Sequence, residues 1–286
     1  MSAAAGLPPS NLRQTYARDG YVIVPDLIEP GQIDAIRTEI AAFFARAATQ
    51  PPAPTDDLTA PAFHEFLFGL FQTNFPAYHG AAKLANHAVS LHRLGTDPDI
   101  LSCLKTLGVG HPVICARPLI WFHSPRLAKT ERYHRLPAHQ EWSNMQGSVD
   151  GAVVWFPLLP VAPEMGRLQV VPGSHRDGLL PLSRDADSDY PLSIDPARID
   201  ETDFAEVDVP VGSALIFSPF LVHRSGENRS EHARITANFR FNNAADPGFA
   251  ARDFPNPFQY AAPTTLDPET APTPGDIERA LKDLET

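Results

Sequence analysis

The sequence has few cysteines, and the two that it has exclude cysteine-based sites. Cys103 and Cys115 are the only two in 286 residues, and neither belongs to a C-x-x-C pair. A zinc knuckle and a dithiol redox motif are therefore excluded. We expect two buried free thiols in a reducing compartment, with a single structural disulfide as the alternative.

Positive charge and long apolar runs are also scarce. Lys and Arg number 23 against 34 Asp and Glu, which gives a formal net charge of −11 at pH 7. Nucleic acids and anionic membrane surfaces need a basic patch, so the charge favours a neutral or cationic small-molecule substrate instead. No apolar stretch is long enough to span a membrane, and residues 1–20 lack the pattern of a signal peptide. We expect a cytoplasmic protein; the sequence does not specify its oligomeric state.

The first third of the chain has the periodicity of helices. Pro30–Ala48 is the clearest, because its apolar residues recur at i, i+3, i+4 and i+7 and Pro30 suits a first turn. A short β-branched strand is predicted over 21–24. Further helices are predicted over 11–19, 62–71, 81–94 and 98–107.

From Pro112 onward, short β-branched and aromatic runs alternate with Pro and Gly turns. They predict strands over 113–116, 119–122, 151–159, 168–171, 214–217 and 235–241. Helices followed by many short strands indicate an α+β protein whose second part is a sandwich or barrel. We expect one domain over 1–286, with a helical part at 11–107, barrel strands at about 112–242 and a Pro-rich tail at 244–286 that ends in a helix over 276–284.

Two histidines and one carboxylate occur in an order that fits a metal site. His139-Gln140-Glu141 stands at the head of the apolar stretch that ends at residue 155, and His223 lies on an apolar run far downstream. Two imidazoles and one carboxylate in this order are typical of the facial triad that binds non-haem Fe(II) and leaves positions open for substrate and O2. The two-residue step suits a strand end, where residues i and i+2 point to the same side.

A second H-x-acid pattern, His175-Arg176-Asp177, competes with the first. It follows a Pro-Gly-Ser turn, and the chain between it and His223 is mostly the polar stretch 183–208. That stretch leaves little strand material to build half of a barrel between the ligands. From His139 to His223 there is room for several strands, so His139 and Glu141 are favoured.

Several segments, in order, resemble the phytanoyl-CoA dioxygenase family of Fe(II)/2-oxoglutarate oxygenases. They are YARDGYVIVPDLIEPGQIDAIRTEI, HQEW, GSVDGAVVWFPL, GRLQVVPGSHRDG and PVGSALIFSPFLVHRSGEN, followed by an arginine. The resemblance covers most of residues 12–242. It implies a double-stranded β-helix, or jelly roll, with N-terminal and flanking helices packed outside.

The resemblance also implies roles for individual residues. His139, Glu141 and His223 would hold the iron at the catalytic centre, Arg234 would bind the distal carboxylate of 2-oxoglutarate, and Ser225 would assist it. The family usually has Asp at the position of Glu141; the longer side chain keeps the anionic oxygen, so iron binding should survive. A Gly or Ala there would suggest a halogenase, whereas the carboxylate favours oxygen transfer.

The strand that begins at Arg234 supports this interpretation. A guanidinium offers the flat, two-pronged donor set that a carboxylate needs. In RITANFRF, alternation places Arg234, Thr236, Asn238 and Arg240 on one face and the apolar residues on the other. A polar row facing a barrel interior suits a site better than a core.

We expect the enzyme to hydroxylate or otherwise oxidise a small molecule and to release succinate and CO2. No basic cluster is available for the phosphates of CoA, so a free small molecule is favoured. Alternatives are a cupin-like metal-dependent isomerase or binding protein on the same barrel, in which Arg234 would have no purpose, and a catalytically inactive family member. The candidates for lining the substrate pocket are Trp142, Gln146, His123, Tyr133 and Arg240.

Overall fold

The computed structural model describes residues 11–47, 57–128, 136–183 and 192–256. Tyr133 and the helix predicted over 276–284 lie outside these residues. The first helix, α1, spans Leu12–Asp19 and ends where Gly20 adopts the left-handed conformation, with φ of +80°. Glycine carries no Cβ penalty in this conformation, which makes it a common residue after a helix end.

The helical part that periodicity predicts is confirmed, with one break. The predicted helix over 81–94 is wrong in its extent, because the chain forms two helices that are separated by residues 86–88. The Asn86 side chain accepts a hydrogen bond from the Ile120 backbone N–H at 2.7 Å, and Glu39 accepts the free N–H groups of Val89 and Ser90 at 2.9 Å each. After α1, the described residues of this part form five more helices: α2 Pro30–Ala47, α3 Pro61–Thr73, α4 Phe75–Ala85, α5 Val89–Gly95 and α6 Pro98–Thr106.

The strands form two antiparallel sheets, which is the arrangement of a double-stranded β-helix. Nine strands occur among the described residues: β1 Tyr21–Val24, β2 Pro112–Ile114, β3 Leu119–His123, β4 Ala152–Pro157, β5 Leu168–Val170, β6 Ala205–Val207, β7 Ala214–Phe217, β8 His223–Ser225 and β9 Arg234–Asn243. The large sheet has the order β1-β7-β4-β9-β2, with β3 also paired to β9, and the small sheet has the order β6-β5-β8. The predicted α+β jelly roll is confirmed.

The two faces of strand β9 differ, one being apolar and the other polar. It pairs with β4 on one side and with β2 and β3 on the other, and all ten of its residues are buried. Its apolar face joins the core beneath the helices through Ile235, Ala237, Phe239 and Phe241. Because side chains alternate along a strand, its polar residues face the space between the sheets: Arg234, Thr236, Asn238, Arg240 and Asn242.

A second, smaller apolar cluster fills part of the space between the two sheets. It includes Val153 and Trp155 of β4, Leu168 and Val170 of β5, and Phe217 of β7. The polar row of β9 therefore lies next to an apolar interior, where charged groups lose contact with water. Both cysteines are buried and free, as expected. No helix among the described residues is long and apolar enough to cross a membrane.

Candidate active site

The backbone holds two distant histidines side by side. His139 forms an antiparallel bridge with His223, the first residue of β8. The two exchange backbone hydrogen bonds, with N···O distances of 3.0 and 3.1 Å. Their rings lie 4.2 Å apart between centroids. Pairing of a loop with a short strand thus positions both imidazoles, although 84 positions of sequence separate them.

Glu141 completes a buried cluster with these histidines. Its Oε1 atom lies 3.9 Å from His139 Nε2 and 3.8 Å from His223 Nε2. The ligand atoms of the three residues lie within 4.8 Å of one another, which is close enough to bind one metal ion. Among the described residues, they are the group of His, Cys, Asp or Glu side chains that meets this condition. All three are at most 4% exposed. Two nitrogens and one oxygen therefore point at a common space.

Hydrogen bonds set which nitrogen of each histidine faces that space. His139 Nδ1 lies 2.8 Å from the Pro137 carbonyl, and His223 Nδ1 lies 3.0 Å from the Leu221 carbonyl. A carbonyl only accepts, so each Nδ1 carries a proton, and in the neutral ring the Nε2 atom keeps its lone pair. Burial and the neighbouring His139 lower the pKa of His223, against the opposing effect of Glu141. The neutral form of His223, which a metal requires, is therefore favoured.

Glu141 does not lie on a strand, so the strand-end argument for the two-residue step is wrong. Its backbone is helical, with φ of −69° and ψ of −23°, and it precedes the one-turn helix α7, Trp142–Met145. The carboxylate reaches the histidines because the chain turns at this point. Burial acts to raise the pKa of Glu141, but the adjacent Arg240 guanidinium outweighs it and holds that pKa well below its usual range. The carboxylate is ionised.

Arg240 lies against Glu141. Its Nε donates to Glu141 Oε2 at 2.8 Å and its Nη2 donates to Oε1 at 3.0 Å. Its Nη1 donates to Asn238 Oδ1 at 3.3 Å, and Asn144 Nδ2 lies 3.4 Å from Oε2. The guanidinium proposed as a pocket residue is thus paired with the carboxylate of the cluster. Sequence reasoning found neither Asn144 nor this pairing.

Arg234 lies on the same face of β9 and makes few hydrogen bonds with the described residues. It is 3% exposed, and its Nη2 donates to Ser225 Oγ at 3.2 Å. Its Nε and Nη1 have no hydrogen-bond partner among the described residues. Burial lowers the pKa of Arg234 to about 10, so the group stays charged at neutral pH. A buried cation with free donors fits an anionic ligand that the described residues do not themselves supply.

The remaining pocket candidates lie at different places around the cluster. His123 ends β3 directly opposite Arg234 in the strand register and is buried. Trp142 stacks on Phe220 at 5.7 Å between ring centroids. Gln146 follows α7 in the left-handed conformation and is exposed, which directs it towards solvent. The structure thus brings His123 to the Arg234 end of the site and Trp142 to its Glu141 end.

The competing histidine lies elsewhere. His175 belongs to a short 3-10 helix, Ser174–Asp177, and packs beneath the turn at Gly20, where a Cβ atom would lie 2.5 Å from its Nδ1. Neither it nor Asp177 is part of the converging cluster. The structure thus brings His139 and Glu141, and not the competing pair, to His223.

A cavity of about 350 Å³ lies near the histidine pair in the fold, but none of the three cluster residues line it. Ala138 and Arg224, each next to a cluster histidine in sequence, line it together with Ile194, Ile199 and Phe204. Sequence reasoning missed this cavity, because much of its wall comes from the polar stretch that was interpreted as an excursion between strands.

Comparisons with known proteins agree with this geometry. A model of the phytanoyl-CoA dioxygenase family matches residues 16–236. Phytanoyl-CoA dioxygenase domain-containing protein 1 of Danio rerio is 25% identical over an alignment that covers 79% of this chain and 87% of the relative.

Solved structures of related fold include enzymes bound to iron or 2-oxoglutarate. The epimerase SnoN in complex with Fe3+, α-ketoglutarate and nogalamycin RO has a TM-score of 0.55 and 19% identity, covering 90% of this chain and 91% of SnoN. EctD from S. alaskensis with 2-oxoglutarate and 5-hydroxyectoine has a TM-score of 0.55 and 17% identity, covering 86% of this chain and 79% of EctD. These similarities show the fold, and the family match over most of the sequence shows that the chain belongs to the phytanoyl-CoA dioxygenase family.

Proposed function

We propose that this protein is an Fe(II)/2-oxoglutarate-dependent dioxygenase that hydroxylates or otherwise oxidises a small molecule and releases succinate and CO2. The observation that carries the proposal is the coexistence of a buried His-Glu-His cluster with a buried arginine that has free donors. Each feature alone also suits proteins with different activities. Together they match the two requirements of this chemistry, a metal with open positions and a cation for the far carboxylate of the co-substrate.

The three cluster residues fit a ferrous ion. His139 and His223 each keep an Nε2 lone pair aimed at the shared space, with Nδ1 held by a backbone carbonyl. Carbonyl partners of this kind fix the ring orientation and the tautomer of metal-binding histidines. Glu141 supplies the anionic oxygen, and its ionised state leaves that oxygen free of a proton.

Arg234 and Ser225 fit the distal carboxylate of 2-oxoglutarate. The two free nitrogens of Arg234 can donate to two carboxylate oxygens, and the Ser225 hydroxyl already lies 3.2 Å from the third nitrogen. A buried charge-assisted pair of this type is strong and directional. When bound, ferrous iron and 2-oxoglutarate supply the oxidising chemistry with O2, while these residues orient the co-substrate and the apolar interior excludes water.

The substrate is proposed to be a free small molecule. His123, Trp142 and Tyr133 remain the candidates for contacting it, while Arg240 is engaged by Glu141. The epimerase SnoN and EctD were crystallised with nogalamycin RO and 5-hydroxyectoine, which are small molecules of different chemistry. Residues 1–286 are proposed to form one oxygenase domain.

An uncoupled turnover assay tests the function. The purified protein is given Fe(II), ascorbate and 2-oxoglutarate, and succinate and bound iron are measured. We expect His139→Ala and His223→Ala to lose iron and to reduce succinate formation by about a hundredfold or more, because each removes a direct ligand. The matched control is His175→Ala, which should keep its iron. Near-wild-type iron content and turnover in either cluster variant would contradict the assignment.

A further inference from the structure

The pairing of Arg240 with Glu141 has a geometry that matters for metal binding. Two adjacent nitrogens of the guanidinium, Nε and Nη2, each donate to a different oxygen of the carboxylate, at 2.8 and 3.0 Å. In this forked arrangement the donors occupy the edge of the carboxylate between its two oxygens. A metal ion bound through both oxygens would need the same edge.

Only one oxygen of Glu141 faces the histidines. Oε1 is the atom that lies 3.9 and 3.8 Å from the two Nε2 atoms. Oε2 is engaged by Arg240 Nε and approached by Asn144 Nδ2 at 3.4 Å. A metal in the shared space can therefore reach the outer lone pair of Oε1, while Oε2 is held on the far side.

The fork is itself held in place. Arg240 Nη1 donates to Asn238 Oδ1 at 3.3 Å, two residues along the same face of β9. Arg240 lies opposite Val153 in the register with β4, and Asn238 lies opposite Trp155. Both side chains are at most 6% exposed. The guanidinium is therefore confined to its position beside Glu141.

We propose that Arg240 is a positioning residue that restricts Glu141 to binding the metal through one oxygen, an inference that rests on the proposed metal role of Glu141. Two imidazoles and one carboxylate oxygen would take three ligand positions of a ferrous ion and leave the others for the co-substrate and O2. A carboxylate bound through both oxygens would remove one, so the restriction keeps the site complete. The longer arm of Glu, compared with Asp, is what lets one carboxylate reach both the histidines and Arg240.

A purely structural salt bridge predicts a different result. If Arg240 served only to neutralise a buried carboxylate, its loss would disorder Glu141 and weaken metal binding. If it restricts the carboxylate, its loss frees the second oxygen and removes a positive charge that repels the metal. Metal binding then becomes tighter while turnover falls.

The test compares Arg240→Met and Arg240→Lys with the wild type, using Co2+ alone as the probe. The visible absorption of bound Co2+ reports its coordination, and a titration gives the dissociation constant. The matched control is Arg224→Met, which removes another forked Arg–Glu pair, with Glu201, beside His223 in sequence but without contact to the cluster.

We expect Arg240→Met to bind Co2+ about tenfold more tightly, since a nearby like charge is removed, and with an altered spectrum. Arg240→Lys should alter the spectrum without the gain in affinity, because lysine keeps the charge but cannot form the fork. With Fe(II), both should lower kcat more than they raise the KM for 2-oxoglutarate. Arg224→Met should match the wild type in affinity and spectrum.

Unchanged or weaker Co2+ binding by Arg240→Met, or an unchanged spectrum in both variants, overturns the inference. If Arg240→Met does not fold, the spectrum of Arg240→Lys decides alone. If His139→Ala has the same Co2+ spectrum as the wild type, the proposed metal site is refuted instead. The two failures are therefore distinguishable.

Discussion

Two arginines on one face of the same strand show how differently a buried cation can be compensated. Arg240 and Arg234 are six positions apart on β9, and both are buried. Two nitrogens of Arg240 donate to the two oxygens of the Glu141 carboxylate. Arg234 instead donates to one hydroxyl, and its other two nitrogens have no hydrogen-bond partner among the described residues. A buried charge without a counter-ion is costly. The strand therefore carries one cation that is paired with a carboxylate of the protein and one for which we propose a carboxylate of the co-substrate as counter-ion.

The largest expected effect comes from removing the anion of the paired arginine. Glu141→Ala should abolish hydroxylation, because it removes the proposed anionic metal ligand and the carboxylate that Arg240 binds. Metal should be retained only weakly through the two histidines. Succinate formed per oxidised product, measured with excess iron, checks this. Parental hydroxylation by the Ala variant would mean that Glu141 is not a ligand.

Glu141→Asp is a smaller change at the same residue, because it keeps the carboxylate and shortens the side chain. The side chain is one methylene shorter and restores the residue usual in the family, so we expect iron binding with partial activity. The Glu141 carboxylate lies between the two histidines and Arg240. The shorter Asp side chain should therefore lose either the hydrogen bonds from Arg240 or its position at the proposed metal site. We expect a metal affinity about tenfold lower than that of the parent, measured by titration. An affinity and activity equal to the parent would show that the reach of Glu is not needed.

The two arginines should respond in opposite ways to the same substitution. Arg234→Met should raise the KM for 2-oxoglutarate by roughly tenfold or more, since loss of a buried charge-assisted pair costs about 2–5 kcal/mol, with little change in the constant for the prime substrate. It should leave the metal-free protein as stable as the parent or more stable, because a poorly compensated cation is removed. An unchanged KM would mean that another residue holds the carboxylate.

Arg240→Met should instead destabilise the metal-free protein by about 3–5 kcal/mol, because Glu141 becomes an uncompensated buried charge. Denaturant unfolding of both methionine variants, without metal or co-substrate, measures the difference. Equal free energies of unfolding would contradict the contrast between the two sites.

His64 is a buried basic group that differs from the two arginines, because it can lose its proton and become neutral. It is 3% exposed, its Nδ1 accepts the Ala233 N–H at 3.1 Å, and its ring lies 4.8 Å from that of His232. Burial, and then His232, lower its pKa to about 4, with Glu65 opposing. Protons then bind the unfolded chain more readily than the folded one between pH 6.5 and about 4.

Stability should therefore fall as pH falls through this window, by about 1 kcal/mol per pH unit. His64→Asn keeps an acceptor for the Ala233 N–H and cannot titrate, so it should flatten this part of the profile. Free energies of unfolding at about pH 7, 6 and 5 check the expectation. Equal slopes in the parent and the variant would assign the acid sensitivity to other groups.

Part of this picture could be predicted from sequence because its signals are local or ordered along the chain. The alternation in RITANFRF by itself places Arg234 and Arg240 on one face. The order of His139, Glu141 and His223, together with the family resemblance, indicated the cluster. The helical part followed from apolar periodicity.

The remainder depends on contacts that no local pattern encodes. Arg240 and Glu141 are 99 residues apart, and their pairing follows from the strand register and from the helical turn after Glu141. Strand β8 has only three residues, too few for a periodic signal. The helix break at Asn86 arises from a hydrogen bond to β3, so tertiary structure overrides helix propensity there.

The most direct test of the account is calorimetric titration of 2-oxoglutarate into the protein loaded with Mn2+, which binds the same ligand types without oxidation. We predict one binding site that requires both the metal and Arg234. Binding should be lost in His139→Ala and weakened by roughly tenfold or more in Arg234→Met. Absence of binding to the metal-loaded protein, or equal binding with and without metal, would contradict the account.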